Sequence, residues 1–229
     1  MIAIRRPGRT ATSIARRWAV VDTRDGRQGM RWGEYGADAD LLELPLDGSS
    51  GRPDPAATYL VCAHSRHDIC CAVRGRPVAG ALADVRPGQV WECSHIGGER
   101  FAASVLVLPS GMMYGRVRLW LVEQLVAAVD ADEVVAPLLR GRIGFAPVAQ
   151  AAMAFAYEQL GLRRRDAVRV VGASKLAESR AMVRLAGPDG ELDVLVQVDR
   201  VSAEQLTCAN PREGHFLAYR PLRIGPAQA

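Results

Sequence analysis

The sequence predicts an α/β domain with an α+β module appended at its C-terminal end. Between residues 57 and 133, short β-branched or apolar runs alternate with segments whose apolar residues recur every three or four positions, which indicates strands alternating with helices. After residue 135 the pattern changes to one helical segment followed by several strand-like runs, which is typical of a helix beside an antiparallel sheet. A chain of 229 residues is long enough for one large domain or two modest ones.

Residues 1–56 are predicted to form a basic N-terminal arm, a short strand and a linker. The strand is "RWAVVDT", residues 17–23, which combines apolar, aromatic and β-branched residues. We expect residues 26–48 to be mostly loop. Residues 48–57, "GSSGRPDPAA", bring Gly, Ser and Pro together as linkers and long turns do. The first domain is therefore expected to begin at residue 57.

Residues 57–135 carry the strand and helix signals of this domain. "ATYLVC" predicts a strand ending at Cys62, and "GQVWEC" predicts another ending near Cys93. Between them, "CCAVRGRPVAGALADV" predicts a short helix. Pro77 within it predicts an irregular first turn or a later start, because proline lacks an N–H group. "ASVLVLPSG" and "MMYGRVR" predict a hairpin turning at residues 109–111, and "LWLVEQLVAAVDADE" predicts an amphipathic helix.

Residues 136–229 are predicted to form the α+β C-terminal module. "PVAQAAMAFAYEQLGL" predicts a helix with Pro147 near its start and Gly161 near its end. Three or four antiparallel strands follow, two of them joined by a hairpin turn at residues 188–190. The module could serve as a docking surface, a homodimer interface or a shield for a site in the first domain, and all three remain open.

Sulfur and imidazole side chains cluster in two loops of the first domain. Four of the five cysteines and three of the four histidines in the chain lie between residues 62 and 95. Each loop follows a predicted strand, and sites assemble beyond the strand ends of open α/β sheets. We therefore expect both loops at one edge of one sheet. The candidate residues are Cys62, His64, His67, Asp68, Cys70 and Cys71 from the first loop and Cys93, His95 and Glu99 from the second.

The compartment expected from the sequence is the cytoplasm. No apolar run approaches the roughly 20 residues of a membrane-spanning helix, and "MIAIRRPGRTATSIARRW" lacks the apolar core of a signal peptide. Cytoplasmic thiols stay reduced, so clustered cysteines favour metal binding or redox chemistry over structural disulfides. Cys208, outside the cluster, is expected to be an ordinary semi-buried cysteine.

Charge and composition bear on the partners. The formal net charge is +4 at pH 7, and only 6% of the residues are aromatic. Single-stranded nucleic acids are bound by basic grooves interleaved with aromatic residues, so we expect no nucleic-acid partner. We also expect no membrane partner, because no apolar run is long enough to span a bilayer. A mildly basic surface instead favours an acidic protein partner.

Two segments of the sequence resemble the sucrase/ferredoxin-like family, a branch of the thioredoxin-like ferredoxins. They are "CAHSRHDICCAVRGRPVAGAL" and "VWECSHIGGERFAASVLVLPSGMMYGRV". The resemblance covers about residues 59–117 and extends more weakly in both directions. It implies a thioredoxin-like ferredoxin domain over residues 57–135 that carries one 2Fe–2S cluster and transfers electrons. In the family, a Cys-x8-Cys pair in the first loop holds one iron, and a His-x3-His pair in the second loop holds the other.

Carried over to this chain, the resemblance implies a cofactor-binding and metal-ligating set. Cys62 and Cys71 match the Cys-x8-Cys pair, and His95 matches the first histidine. Glu99 occupies the position of the second histidine, and a carboxylate is a harder ligand than iron–sulfur chemistry favours. Cys93 offers a thiolate in the same loop. We therefore expect Cys62, Cys71, Cys93 and His95 as the ligands, with Glu99 as the alternative fourth ligand.

The other candidates have simpler roles. Cys70 could replace Cys71 as a ligand, although its Cys-x7-Cys spacing does not fit the family. His64 and His67 are expected to donate hydrogen bonds around the site. Asp68 is expected to cap a turn rather than to bind metal.

Three function classes follow from these residues. The preferred one is a non-catalytic electron carrier with a mixed Cys/His 2Fe–2S cluster, working with a redox partner protein of acidic surface. The second is a zinc-stabilised structural or binding protein, because three cysteines and one histidine also form a closed zinc site. The third is a thiol–disulfide oxidoreductase on a thioredoxin-like frame, which would need a reactive cysteine at a helix N-terminus.

Overall fold

The structure is a computed structural model of the 229-residue chain. It describes all residues except 9–14, 67, 206–207, 209–212 and 228–229, and at Glu99 it describes the backbone alone. The strands within this part are β1 (Ile4–Arg5), β2 (Arg16–Asp22), β3 (Gly29–Tyr35), β4 (Arg52–Pro53), β5 (Thr58–Cys62), β6 (Val90–Cys93), β7 (Val105–Leu108), β8 (Met112–Tyr114), β9 (Leu139–Arg142), β10 (Arg169–Ala177), β11 (Arg180–Gly187), β12 (Gly190–Ala203) and β13 (Gly214–Pro226). The α-helices are α1 (Ile69–Val85), α2 (Val122–Asp130) and α3 (Pro147–Gln159).

A six-stranded mixed sheet forms the centre of the molecule, in the order β1-β6-β5-β7-β8-β9. Strands β5 and β6 are parallel and are joined by α1, while β7 and β8 form an antiparallel hairpin beside β5, and α2 follows. A parallel βαβ unit followed by a hairpin and a helix is the arrangement expected of a thioredoxin-like domain. The predicted α/β class is therefore confirmed.

The two faces of this sheet bury different cores. Tyr59 and Val61 of β5 face a core that includes residues of all three helices and of β11 and β12. Leu60 and Cys62, one position along, face a smaller core that includes Met30 of β3. This alternation is the two-residue period of a strand whose faces are both covered. The small core contains three cysteines that form no disulfide and lies next to the site described below.

The segment that covers this smaller core differs from the prediction. Residues 26–48, expected to be mostly loop, contain β3, which pairs with β2 along its length. Glycine is a turn signal in sequence, but Gly33 of β3 makes room for an indole: a Cβ there would lie 2.3 Å from the ring of Trp18. The N-terminal arm also contains a strand, β1, which pairs antiparallel with β6. Such pairing depends on partners distant in sequence, so local pattern does not predict it.

Helix α1 begins at its capping residue rather than at its proline. The Asp68 side chain accepts a hydrogen bond from the backbone N–H of Cys70, which is the role of an N-cap carboxylate. The helix then continues through Pro77, so the predicted later start was wrong. The predicted capping role of Asp68 is confirmed.

The C-terminal module has the predicted helix, α3, and a four-stranded antiparallel sheet in the order β10-β11-β12-β13. Buried Val183, Leu185, Val194 and Val196 of this sheet belong to the same core as buried residues of α3. Strand β9 lies in the predicted module by sequence but pairs with β8 in the central sheet. The predicted domain boundaries at residues 56 and 135 stay a prediction. Among the described residues, no helix is both long and apolar enough to span a membrane.

Candidate metal centre

The candidate site lies where the two parallel strands of the central sheet end. Cys62, the last residue of β5, is paired in register with Cys93, the last residue of β6. The backbone N–H of Ala63 donates a hydrogen bond to the carbonyl oxygen of Cys93, which continues the pairing one step beyond the strands. The two ligand-bearing loops therefore leave the sheet side by side, as the sequence predicts.

Three of the predicted ligand atoms converge at this edge. The Sγ atoms of Cys62 and Cys71 lie 3.8 and 3.9 Å from Nδ1 of His95, and the three atoms all lie within 4.8 Å of one another. Cys62 and Cys71 are only 1% and 2% exposed, while His95 is half-buried. The sulfurs thus form the inner side of the group, and the imidazole lies between them and the surface.

Close contact between α1 and β5 brings Cys71 to Cys62. Gly75, one helical turn after Cys71, packs so tightly that a Cβ atom there would lie 2.1 Å from the carbonyl oxygen of Cys62. Only glycine permits this approach of helix to strand. Gly75 was not among the predicted site residues, although a glycine one helical turn after the cysteine pair indicates a close approach of the helix to a neighbouring strand.

The second loop is fixed by glycines and by an arginine from β9. Gly97 and Gly98 have φ angles of 83° and 74°, a conformation that favours glycine. Nη1 of Arg140 donates a 3.4 Å hydrogen bond to the carbonyl oxygen of Gly97. A Cβ at Gly98 would lie 2.4 Å from the same guanidinium, which stacks 4.3 Å from the ring centroid of Phe101. Arg140 therefore braces the loop that carries His95, a role that the sequence analysis missed.

Cys93 lies on the same side of the sheet but outside the three-atom group found among the described residues. It is 5% exposed, and burial raises the pKa of its thiol; Cys62, Cys71 and Glu92 raise that pKa further when they are ionised. Without a metal, Cys93 is therefore a neutral thiol. The side chain of Glu99 and the whole of His67 lie outside the described residues. The identity of the fourth ligand stays a prediction.

Cys70 points away from this group and forms a disulfide with Cys208, 138 residues further along the chain. The two oxygens of the Asp68 carboxylate accept hydrogen bonds from the backbone N–H groups of Cys70, at 3.0 Å, and of Cys208, at 2.9 Å. The expectations that the clustered thiols are reduced and that Cys208 is an ordinary cysteine were therefore wrong for this pair. A contact across 138 residues leaves no mark in local sequence.

The three converging donors suit a thiophilic metal group. Thiolate and imidazole are the ligands that iron–sulfur clusters and zinc prefer. On one tetrahedral ion, metal–sulfur bonds of about 2.3 Å and metal–nitrogen bonds of about 2.0 Å imply ligand atoms roughly 3.5 Å apart. The observed sulfur–nitrogen distances of 3.8 and 3.9 Å are close to that value. The residues present therefore fit a bound metal, with a fourth ligand still to be assigned.

Two comparisons with known proteins found a similarity to this chain. The sequence profile of the sucrase/ferredoxin-like family matches residues 14–141, more than half of the chain. A solved structure, a thioredoxin-like [2Fe–2S] ferredoxin from Aquifex aeolicus, is 21% identical and aligns with 40% of this chain and 94% of its own, with a TM-score of 0.35. No curated protein matches the sequence. The fold assignment given above stands on the strand order alone.

Proposed function

Because the chain belongs to the sucrase/ferredoxin-like family, we propose that it is an electron carrier whose Cys62, Cys71 and His95 hold a 2Fe–2S cluster. One observation carries the proposal: two buried thiols and one imidazole converge within 4.8 Å at the ends of adjacent parallel strands. A bound cluster would accept and release one electron, with a potential set by its ligands, hydrogen bonds and exposure.

The two cysteine ligands lie in the interior, whereas the histidine ligand lies towards the surface. The two sulfurs are buried against apolar residues such as Leu60 and Leu106, which keep water from the inner side. His95 presents Nδ1 to the sulfurs, so a metal held at Nδ1 would leave Nε2 as the nitrogen that carries the proton of the ring. Because His95 is half-buried, the imidazole is the proposed side on which electrons enter and leave.

Cys93 is the proposed fourth ligand. Cys93 ends β6 at the same edge of the sheet where Cys62 ends β5, and it belongs to the same small core as Cys71. Its side chain offers a thiol rather than a carboxylate. A metal would replace its proton and thereby offset the cost that burial and neighbouring charge impose on the thiolate. Glu99 remains the alternative.

The proposed partner is a redox protein with an acidic surface, met in the cytoplasm. Three guanidinium groups surround Phe101, just after the loop that carries His95: those of Arg100, Arg116 and Arg140 lie 5.7, 5.1 and 4.3 Å from its ring centroid. Positive charge next to the loop that carries His95 would steer an acidic partner towards the site and make the rate of electron transfer fall as salt rises. The surface around Phe101 is therefore where we expect docking.

A zinc site is the second candidate, and one observation favours it. The sulfurs of Cys62 and Cys71 are almost equally distant from Nδ1 of His95, as ligands of one ion would be. In a binuclear cluster of the family type, the two thiolates and the imidazole would bind different irons rather than one ion. Zinc would give a stabilised fold without electron transfer.

Anaerobic purification from iron-replete cells separates the two candidates. The electron-carrier proposal expects about two irons and two labile sulfides per chain, visible absorption, and an EPR signal that appears on one-electron reduction. Stoichiometric zinc with no labile sulfide, in colourless protein, would contradict the proposal and favour the zinc site. A salt series of the reduction rate with an acidic flavoprotein reductase then tests the docking surface.

A further inference from the structure

A second sulfur site lies beside the proposed metal centre and shares none of its ligands. Cys70 is the second residue of α1 and immediately precedes Cys71. Its disulfide partner, Cys208, lies between the ends of β12 and β13. Neither sulfur belongs to the group formed by Cys62, Cys71 and His95, so the electron-carrier proposal does not use this bond.

We propose that the Cys70–Cys208 disulfide is a thiol–disulfide exchange site that is opened by an external dithiol and closed again by exchange with an external disulfide such as oxidised glutathione, which is reduced to its thiols. The two cysteines differ in access: Cys208 is exposed, whereas Cys70 at the start of the helix is more buried. Thiol exchange requires that the attacking sulfur approach along the disulfide bond, so access selects the sulfur that is attacked. Cys208 is the site of attack.

The exchange balances with one dithiol. A thiolate of the reductant attacks Sγ of Cys208, a new bond forms between these two sulfurs, and the bond from Cys208 to Cys70 breaks. The electron pair leaves on Sγ of Cys70, which takes a proton from water. The second thiol of the reductant then attacks the mixed disulfide and releases the Cys208 thiol. The reductant ends as a disulfide, and the protein has gained two electrons and two protons.

Asp68 is the positioning residue of this site. It is fully buried, and its two carboxylate oxygens hold the backbone N–H groups of Cys70 and Cys208. These hydrogen bonds do not involve the sulfurs, so they remain when the disulfide opens. The carboxylate therefore keeps the two thiols near each other, and a pre-aligned pair re-forms its bond faster than a free pair.

The fold does not depend on the bond being closed. Strands β12 and β13 pair continuously as far as Ala203 and Gly214, and buried Val194 and Val196 of β12 attach the sheet to the core shared with α3. Opening the disulfide leaves these contacts in place. In the reducing compartment proposed for this chain, disulfides are usually transient and serve catalysis or redox sensing.

Per-cysteine mass spectrometry of the intact, metal-loaded chain tests the proposal. The protein is equilibrated anaerobically in glutathione buffers of increasing reduced-to-oxidised ratio, quenched in acid, alkylated and digested. We expect more than half of the Cys70–Cys208 bond to be open at a cytoplasmic ratio, the glutathione adduct to be on Cys208, and the far-ultraviolet circular dichroism to be unchanged. Because Cys70 and Cys208 are read separately from Cys62, Cys71 and Cys93, the result is independent of whether a cluster is bound.

Three results would overturn the proposal. The first is a bond that stays closed at every glutathione ratio and opens only in denaturant, which defines a structural disulfide. The second is an adduct on Cys70 instead of Cys208. The third is loss of the fold on reduction.

Asp68 variants test the positioning role. In Asp68→Ala we expect re-oxidation about tenfold slower, since charge-assisted hydrogen bonds are lost, while the rate of opening by dithiothreitol stays the same. Asp68→Asn keeps one acceptor oxygen, which can still cap the helix but cannot accept from both N–H groups, so most of the re-oxidation rate should remain lost in this variant although the helix is capped. Equal changes in the opening and closing rates of Asp68→Ala would mean that Asp68 is only structural.

Discussion

Two adjacent cysteines at the start of α1 serve different sites. The sulfur of Cys71 lies with Cys62 and His95 inside the molecule, whereas the sulfur of Cys70 is bonded to Cys208. Successive residues of an α-helix point about 100° apart, so neighbours in sequence face different surroundings. A pair of cysteines in sequence is therefore not evidence of a shared function, and the helix phase assigns each sulfur to its own site.

The surroundings of the two sites differ in the same way. Cys62 and Cys71 are enclosed by apolar side chains, while Cys208 is exposed to water. A metal group bound by thiolates keeps its ligands when water is excluded, and a disulfide that exchanges needs access to solvent. The two sites are therefore expected to respond independently to mutation.

The largest expected effect comes from exchanging serine for each cysteine of the pair. Cys71→Ser removes a thiolate at the metal centre, and we expect bound iron and visible absorption to fall to background. Cys70→Ser should retain both and lose only the disulfide to Cys208. Iron and sulfide analysis of anaerobic preparations measures the difference. Equal loss of iron in both variants would mean that the two sites are not separate.

Cys93 should behave like Cys71 if it is the fourth ligand. We expect Cys93→Ala to lose or grossly change the cluster, and Glu99→Gln to keep it with at most a modest shift in potential. EPR and redox titration of the two variants decide between the ligands. The glutathione equilibrium of Cys70 should be the same in both variants, because Cys93 lies on the side of the metal centre. A cluster with unchanged spectrum and potential in Cys93→Ala would assign the position to Glu99.

The next effect concerns two glycines of α1 that differ only in what lies beside them. A Cβ at Gly75 would meet the carbonyl oxygen of Cys62 at 2.1 Å, whereas nothing lies within 4 Å of a Cβ at Gly80. Gly75→Ala must push α1 away from β5, and we expect it to lower the free energy of unfolding by about 2 kcal/mol and to weaken metal binding. Gly80→Ala should raise the free energy of unfolding by about 0.5–1 kcal/mol, because alanine favours the helix.

Urea unfolding of both glycine variants, together with their iron content, checks this pair. Equal stability of Gly75→Ala and Gly80→Ala would contradict the close contact between α1 and β5 from which the geometry of the metal centre is argued.

What the sequence predicts well here is what local pattern encodes. The strands ending at Cys62 and Cys93, the hairpin turn at residues 109–111 and the helix at Pro147 all follow from periodicity and turn residues within short windows. These predictions suffice to bring two ligand loops to one sheet edge. The convergence of Cys62, Cys71 and His95 follows from that topology together with the family resemblance.

What the sequence does not predict depends on contacts between distant segments. Strand β3 was missed because glycines such as Gly33 are turn signals in sequence. The reason for glycine at position 33 is its close contact with the Trp18 ring, which only the structure shows. The bond from Cys70 to Cys208 joins segments 138 residues apart, and Arg140 reaches Gly97 from another strand. The partners in each of these contacts are distant in sequence, so the contacts follow from the structure alone.

The smallest expected effect tests whether support of the metal centre can be changed without touching the exchange site. Arg140→Gln removes the guanidinium that donates to the Gly97 carbonyl and fills the space beside Gly98. A looser second loop holds His95 less well, and we expect metal affinity to fall about tenfold with a modest shift in potential. Arg116→Gln is the matched control: the Arg116 guanidinium also lies over Phe101, but among the described residues Arg116 is hydrogen-bonded to this region only through its backbone N–H, which the substitution keeps. Chelator competition measures the affinities, and the glutathione equilibrium of the Cys70–Cys208 bond is measured on the same samples. That equilibrium should be identical in both variants and in the parent chain, because Arg140 braces the second loop, whereas the disulfide joins α1 to the segment between β12 and β13. If Arg140→Gln instead opened the disulfide, a change at the second loop would be reaching Cys70. The two sites would then be coupled, contrary to the independence expected from the different directions in which Cys70 and Cys71 point.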